Sequence, residues 1–136
     1  NRLLVANGWL ILYDNFFISE MLGVEAFSKW YPEVYLKKFP APKRNNNYNW
    51  TNENLVSKNF TLDKEEEFKN PIVYTKNELI GYFSTQSNIT AVIEDGQMTY
   101  NEVENWLNNE LSPFYSTNNT RTLNFGNWIK YIHKSI

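Results

Sequence analysis

A chain of 136 residues, 42% of them hydrophobic, is long enough to bury one core and fits a single domain over 1–136. Its 13 Lys plus Arg against 15 Asp plus Glu leave a net charge of -2, which argues against nucleic acid as a partner through a basic face. Without Cys there can be no disulfides and no thiolate metal sites, and the composition suits a reducing, cytoplasmic setting. Apolar runs such as 8–13 are far too short to span a membrane, so no membrane partner is expected.

In chain order, Asn1 to Ala6 reads as the last turn of a helix, and Asn7-Gly8 supplies residues that tolerate positive φ at a helix C-terminus. A chain that opens in this way, with no initiator Met, is expected to be a piece of something longer. Gly8–Phe17 (GWLILYDNFF) reads as a buried strand whose last residues, Tyr13, Asp14 and Asn15, turn polar where it should emerge. Ser19 is placed to cap a helix with Glu20 in its first turn. Ala26, Phe27, Trp30, Tyr31, Val34 and Tyr35 then recur at helical spacing. Pro32 interrupts them and predicts a kink or two short helices, and Phe39-Pro40 ends the run. Residues 43–49 form a polar loop.

Thr51 starts a short helix through Leu55 and Val56, and 59–74 is strand-like. The acidic stretch Asp63-Lys64-Glu65-Glu66-Glu67 within it reads as solvated, because adjacent side chains on a strand point to alternating faces and do not gather round a metal. Thr75-Lys76-Asn77-Glu78 and Thr99-Tyr100-Asn101-Glu102 both match the capping box that opens a helix. Between them 88–94 is ambiguous between strand and helix, Asp95-Gly96 is a turn, and Pro113 stops the second helix. Thr122 to Lys134 reads as a two-sided closing strand, with Trp128 substantially buried on its second face and His133 at the surface or an edge. The Asn-x-Ser/Thr matches at Asn49, Asn59, Asn88 and Asn118 read as accidents of an Asn-rich composition, with a secreted, glycosylated domain as the alternative.

Taken together, the helix end and glycine at 3–8, the strand 9–14, the aromatic segment 27–42, the Thr51 helix feeding 60–68 and the strand 122–134 resemble one family. It is the class I S-adenosylmethionine-dependent methyltransferases, in the small-molecule branch related to quinone biosynthesis, and the likeness is to their C-terminal half. The resemblance implies an α/β fold, α+β as a fragment. This would be the C-terminal part of a Rossmann-like sheet, with about three strands, an antiparallel final strand that slots into the sheet, and substrate-side helices. The family's Lys-Pro-Gly-Gly turn is replaced by Val5-Ala6-Asn7-Gly8. Its glycine-rich cofactor turn has no counterpart, since the five Gly stand at 8, 23, 81, 96 and 126 with no G-x-G.

The resemblance therefore implies a substrate-facing portion of a small-molecule methyltransferase, inactive alone. S-adenosylmethionine would be the cofactor of the parent protein and would not bind here. Asp14 is the candidate base or substrate-orienting carboxylate, with capping of the following turn as its structural alternative. Tyr13, Asn15, Trp30, Tyr31 and Tyr35 are candidates for lining a substrate chamber, with core packing as theirs. The unprotected apolar edge at 9–13 implies a homo-oligomer. The rival reading is a self-sufficient α+β module that binds an apolar ligand or a protein and catalyses nothing.

Overall fold

Three long strands and a set of short helices make an α+β fold in the computed structural model, which describes residues 4–43 and 49–135. Strands β1 (Trp9–Met21), β2 (Phe60–Thr75) and β3 (Thr120–Lys134) form one sheet in the order β1-β3-β2. The last strand in sequence thus lies between the other two and runs antiparallel to both. Against β1, Lys134 N–H donates to Gly8 C=O at 2.9 Å and Leu22 N–H donates to Thr122 C=O at 2.9 Å. Against β2, Ser135 N–H donates to Asn59 C=O at 2.9 Å, while His133 meets Asp63.

The helices are α1 (Glu25–Trp30), a π turn (Tyr31–Tyr35), α2 (Leu36–Lys38), α3 (Asn52–Val56), α4 (Lys76–Ser84), α5 (Ser87–Glu94) and α6 (Tyr100–Leu111). A 3₁₀ turn (Ser112–Tyr115) follows α6 at Pro113. Both expected capping boxes are present, with the Thr75 and Thr99 hydroxyls accepting from Glu78 and Glu102 N–H at 3.3 Å. The ambiguous segment 88–94 resolves as helix α5. Among the described residues no helix is long and apolar enough to cross a membrane.

Contacts divide the described residues into two units. The first comprises 4–17, 49–70 and 125–135. Its buried apolar residues are Leu55, Phe125 and Ile132, and Phe17 meets Phe125 edge-on at 5.6 Å. Its described N-terminal residues are not a helix end. Gly8 N–H donates to Val5 C=O at 3.0 Å, closing a β-turn, and Asn7 (φ 59) donates to Lys134 C=O at 3.0 Å. Asn7 and Gly8 together oppose Lys134, which is the pattern of a β-bulge led by a left-handed residue. A Cβ on Gly8 would stand 2.9 Å from the Val5 carbonyl oxygen, so this turn requires glycine there.

The second unit comprises 18–43 and 71–124. Its core gathers Phe27, Trp30, Tyr35, Phe39, Leu79, Phe83, Ile89, Val103, Leu107, Leu111 and Leu123, all buried. Val103, Leu107 and Leu111 repeat every four residues and give α6 its single inward stripe. Each large side chain fully withdrawn from water contributes about 1.5–3 kcal/mol before the entropy of ordering it is subtracted.

Several expectations need correction. β1 does not end at Asn15 but continues to Met21, because pairing with β3 persists as far as Leu22. Ser19 therefore sits inside a strand in a left-handed conformation (φ 55) instead of capping a helix, and α1 begins later, after Val24. Pro32 does divide the run into two short helices, α1 and α2, and the segment between them is a π turn. Lacking an N–H and crowding the carbonyl four residues back, the proline is accommodated by widening the helix into this π turn, where Leu36 N–H reaches Tyr31 C=O. Trp128 is only partly exposed, in keeping with the burial expected of it, and Lys130 Nζ lies 5.7 Å from its ring centroid. Most of the loop expected at 43–49 falls outside the described residues.

Candidate functional site

The second unit carries the densest chemistry, in a stack of rings around the π turn. Tyr31 and Tyr35, four residues apart, face the same way, with ring centroids 5.0 Å apart and planes 15° apart. Phe83 of α4 closes on both, at 4.7 Å from Tyr35 and 6.2 Å from Tyr31. Trp30 packs behind them against Phe27, Phe83 and Phe114, and its Nε1–H donates to Glu110 Oε2 at 2.9 Å. The structure thus gathers three of the residues named from the sequence, Trp30, Tyr31 and Tyr35. It buries Trp30 and Tyr35 and leaves Tyr31 half-buried.

Tyr35 is fully enclosed, and its hydroxyl donates to Asn88 Oδ1 at 3.4 Å. Asn88, also buried, donates from Nδ2 to Phe39 C=O at 2.9 Å and accepts from Ile89 N–H at 3.1 Å. The structure gives Asn88 a tying role inside the core, where no glycan could be attached.

Burial pushes the Tyr35 phenol well above its ordinary value and raises Tyr82 to about 12, with Tyr31 and Tyr74 adding smaller repulsions to Tyr82. Burial likewise takes Tyr115 to about 12, with Arg121 working against the rise. These phenols stay protonated at neutral pH, so they can donate hydrogen bonds and present ring faces but cannot act as bases.

Tyr13, Asp14 and Asn15 belong to the first unit, in the middle of β1, and all three are exposed. Asp14 is therefore a mid-strand carboxylate and does not stand at a strand's carboxyl end. Asp14 is the carboxylate among these named residues.

One pairing escaped sequence reasoning. His133 Nδ1 lies 2.8 Å from Asp63 Oδ1, across the β3–β2 pair, and the His133 ring meets Trp9 at 5.5 Å. Lys130 bonds Glu65 nearby, whereas Lys64 and Glu66 pair with each other at 2.7 Å. Alternation along β2 foretold that the acidic run would be shared between faces. Which partner each side chain meets depends on register with a strand about 70 residues away. Among the described residues no three His, Asp or Glu side chains gather as metal ligands.

The chain matches no family model and no curated protein sequence.

Proposed function

We propose that this chain is the substrate-facing, C-terminal portion of an S-adenosylmethionine-dependent methyltransferase that acts on a small molecule. The observation that carries the reading is topological. The last strand enters between the two earlier ones and runs antiparallel to both, as the resemblance implies for the closing strand of the methyltransferase sheet. The ring cluster around Tyr31 lends support, because a small-molecule pocket is lined by aromatic side chains with a few polar groups among them.

The residues present do not fit the cofactor itself. β1 turns at Leu22-Gly23, and β2 passes directly into α4 through the Thr75 capping box, so neither offers a glycine-rich turn at a helix N-terminus. On this reading the contacts to S-adenosylmethionine come from elsewhere in the parent protein, and this portion is cytoplasmic and inactive alone. Its own contribution is alignment. Within the second unit Tyr31 offers a ring face to a bound acceptor, and orientation alone can lower a bimolecular barrier by roughly 7–11 kcal/mol. The same reading makes β1, at the open end of the sheet order, a pairing edge and favours a homo-oligomer.

The test is the coding sequence ahead of Asn1, followed by assay of the encoded protein with methyl-labelled S-adenosylmethionine and fractionated small molecules. A strand, a glycine-rich turn and an acidic residue after a second strand are expected upstream, with label passing to a small molecule. An upstream sequence lacking them, or a protein that transfers no label, overturns the reading.

A further inference from the structure

Beyond Tyr31, the second unit carries a connected run of rings drawn from three elements. Tyr31 of the π turn lies 6.2 Å from Phe83 with planes 23° apart, Phe83 lies 5.5 Å from Tyr82, and Tyr82 lies 6.1 Å from Tyr74 at the end of β2. Phe83 is buried, while Tyr31, Tyr74 and Tyr82 are each half-buried, so the run backs onto the core and reaches the surface through three tyrosines. An aromatic face is the negative side of the ring quadrupole. The Glu78 carboxylate adds to it. Held in the α4 capping box, where Thr75 N–H donates to it at 2.7 Å, it repels negative charge on Tyr74 at the end of β2.

Electron-rich ring faces beside a fixed carboxylate are complementary to a positive charge that is large and weakly hydrated. We propose that Tyr31, Tyr74 and Tyr82 form a binding surface for a small organic ammonium ion of the methylated-amine type. A neutral molecule of the same size would gain the apolar contact but nothing from Glu78 or the ring quadrupoles. An anion would be repelled by both. Binding of the cation requires neither cofactor nor methyl transfer, so its failure would leave the methyltransferase reading standing, and the reverse holds too.

The full chain is titrated with tetramethylammonium chloride, at ionic strength held constant with sodium chloride, and separately with neopentyl alcohol as the neutral counterpart. Tyrosine ring resonances are followed by NMR. Saturable shifts of the Tyr31 and Tyr82 rings are expected in the millimolar range for the cation, with the alcohol binding several-fold more weakly. Tyr82→Leu should weaken cation binding by about two- to fivefold, whereas Tyr82→Phe, which keeps the ring, should change it little. Glu78→Gln, which can still accept in the cap, should weaken the cation and leave the alcohol unchanged. Equal affinity for cation and alcohol, shifts that do not saturate, or a folded Tyr82→Leu protein that binds as the parent does would each overturn the proposal. Should Tyr82→Leu disturb the fold, the comparison of cation with alcohol on the unsubstituted chain decides alone.

Discussion

Tyr31 lies nearly flat on Tyr35, with planes 15° apart and centroids 5.0 Å apart, in the turn of helix that is widened at Pro32. Tyr35 is buried and tied to Asn88, while Tyr31 is half-buried above it. A rigid ring that supports a partly exposed one is the arrangement expected of a ligand wall, since the supporting layer fixes the orientation of the contacting layer.

Tyr35 should be a keystone of packing more than of hydrogen bonding. Tyr35→Phe removes a long 3.4 Å bond, and Asn88 keeps its bonds with Phe39 and Ile89, so a loss of about 0.5–1.5 kcal/mol is expected. Tyr35→Ala empties a fully buried site and should cost about 3–5 kcal/mol. Urea denaturation midpoints of the two variants, compared with the parent, check both the size and the order.

Asn88→Ala strips the Phe39 carbonyl and the Tyr35 hydroxyl of their buried partner. Each group left unsatisfied costs about 1–3 kcal/mol, so this variant should fall between the two Tyr35 variants or beyond them. Stability equal to the parent would show that water replaces the amide.

For Trp128→Ala a loss of about 1–2 kcal/mol is expected, below the 3–5 kcal/mol of a fully buried tryptophan. The side chain is half-buried and shares its contact with Lys130. A double-mutant cycle with Lys130→Ala measures that shared part directly.

Alkaline pH should destabilise the fold within a defined window. Tyr82 and Tyr115 have folded-state values raised from 10.0 to about 12, chiefly by burial. A raised value means that the folded state holds its proton more tightly than the unfolded chain does. Their contribution is therefore fully present below pH 10.0 and is lost as pH rises towards about 12. Phenolate absorbance should show a late-titrating class of tyrosines, and the denaturation midpoint should begin to fall above pH 10.0. A midpoint flat across that interval would contradict the burial of these rings.

The two outer strands of the sheet differ in protection. β2 carries Asp63 to Glu67, Lys69 and Pro71, whereas β1 carries no charge or Pro from Trp9 to Tyr13, and Trp9, Ile11 and Tyr13 are 53%, 46% and 76% exposed. Concentration-dependent association is expected, with Ile11→Lys shifting the protein towards monomer. Light scattering that reports a monomer at high concentration for the unsubstituted chain would remove β1 as a pairing edge.

Local rules were legible in the residues themselves. Thr75-x-x-Glu78 and Thr99-x-x-Glu102 fixed two helix starts because a capping box closes within four residues, and Pro113 fixed one end. The stripe Val103, Leu107, Leu111 and the aromatic spacing that brings Trp30, Tyr31 and Tyr35 together likewise need only the helical period. What the sequence could not settle depends on partners distant along the chain. The extension of β1 past Asn15, the left-handed Ser19 inside it, and the pairing of His133 with Asp63 all follow from registers on β3, set by hydrogen bonds between residues roughly 65 to 130 positions apart. Periodicity says which residues share a face, but only the tertiary fold decides which strand that face meets. That is why Trp30, Tyr31 and Tyr35 could be named as a group beforehand while the Asp63–His133 pair could not.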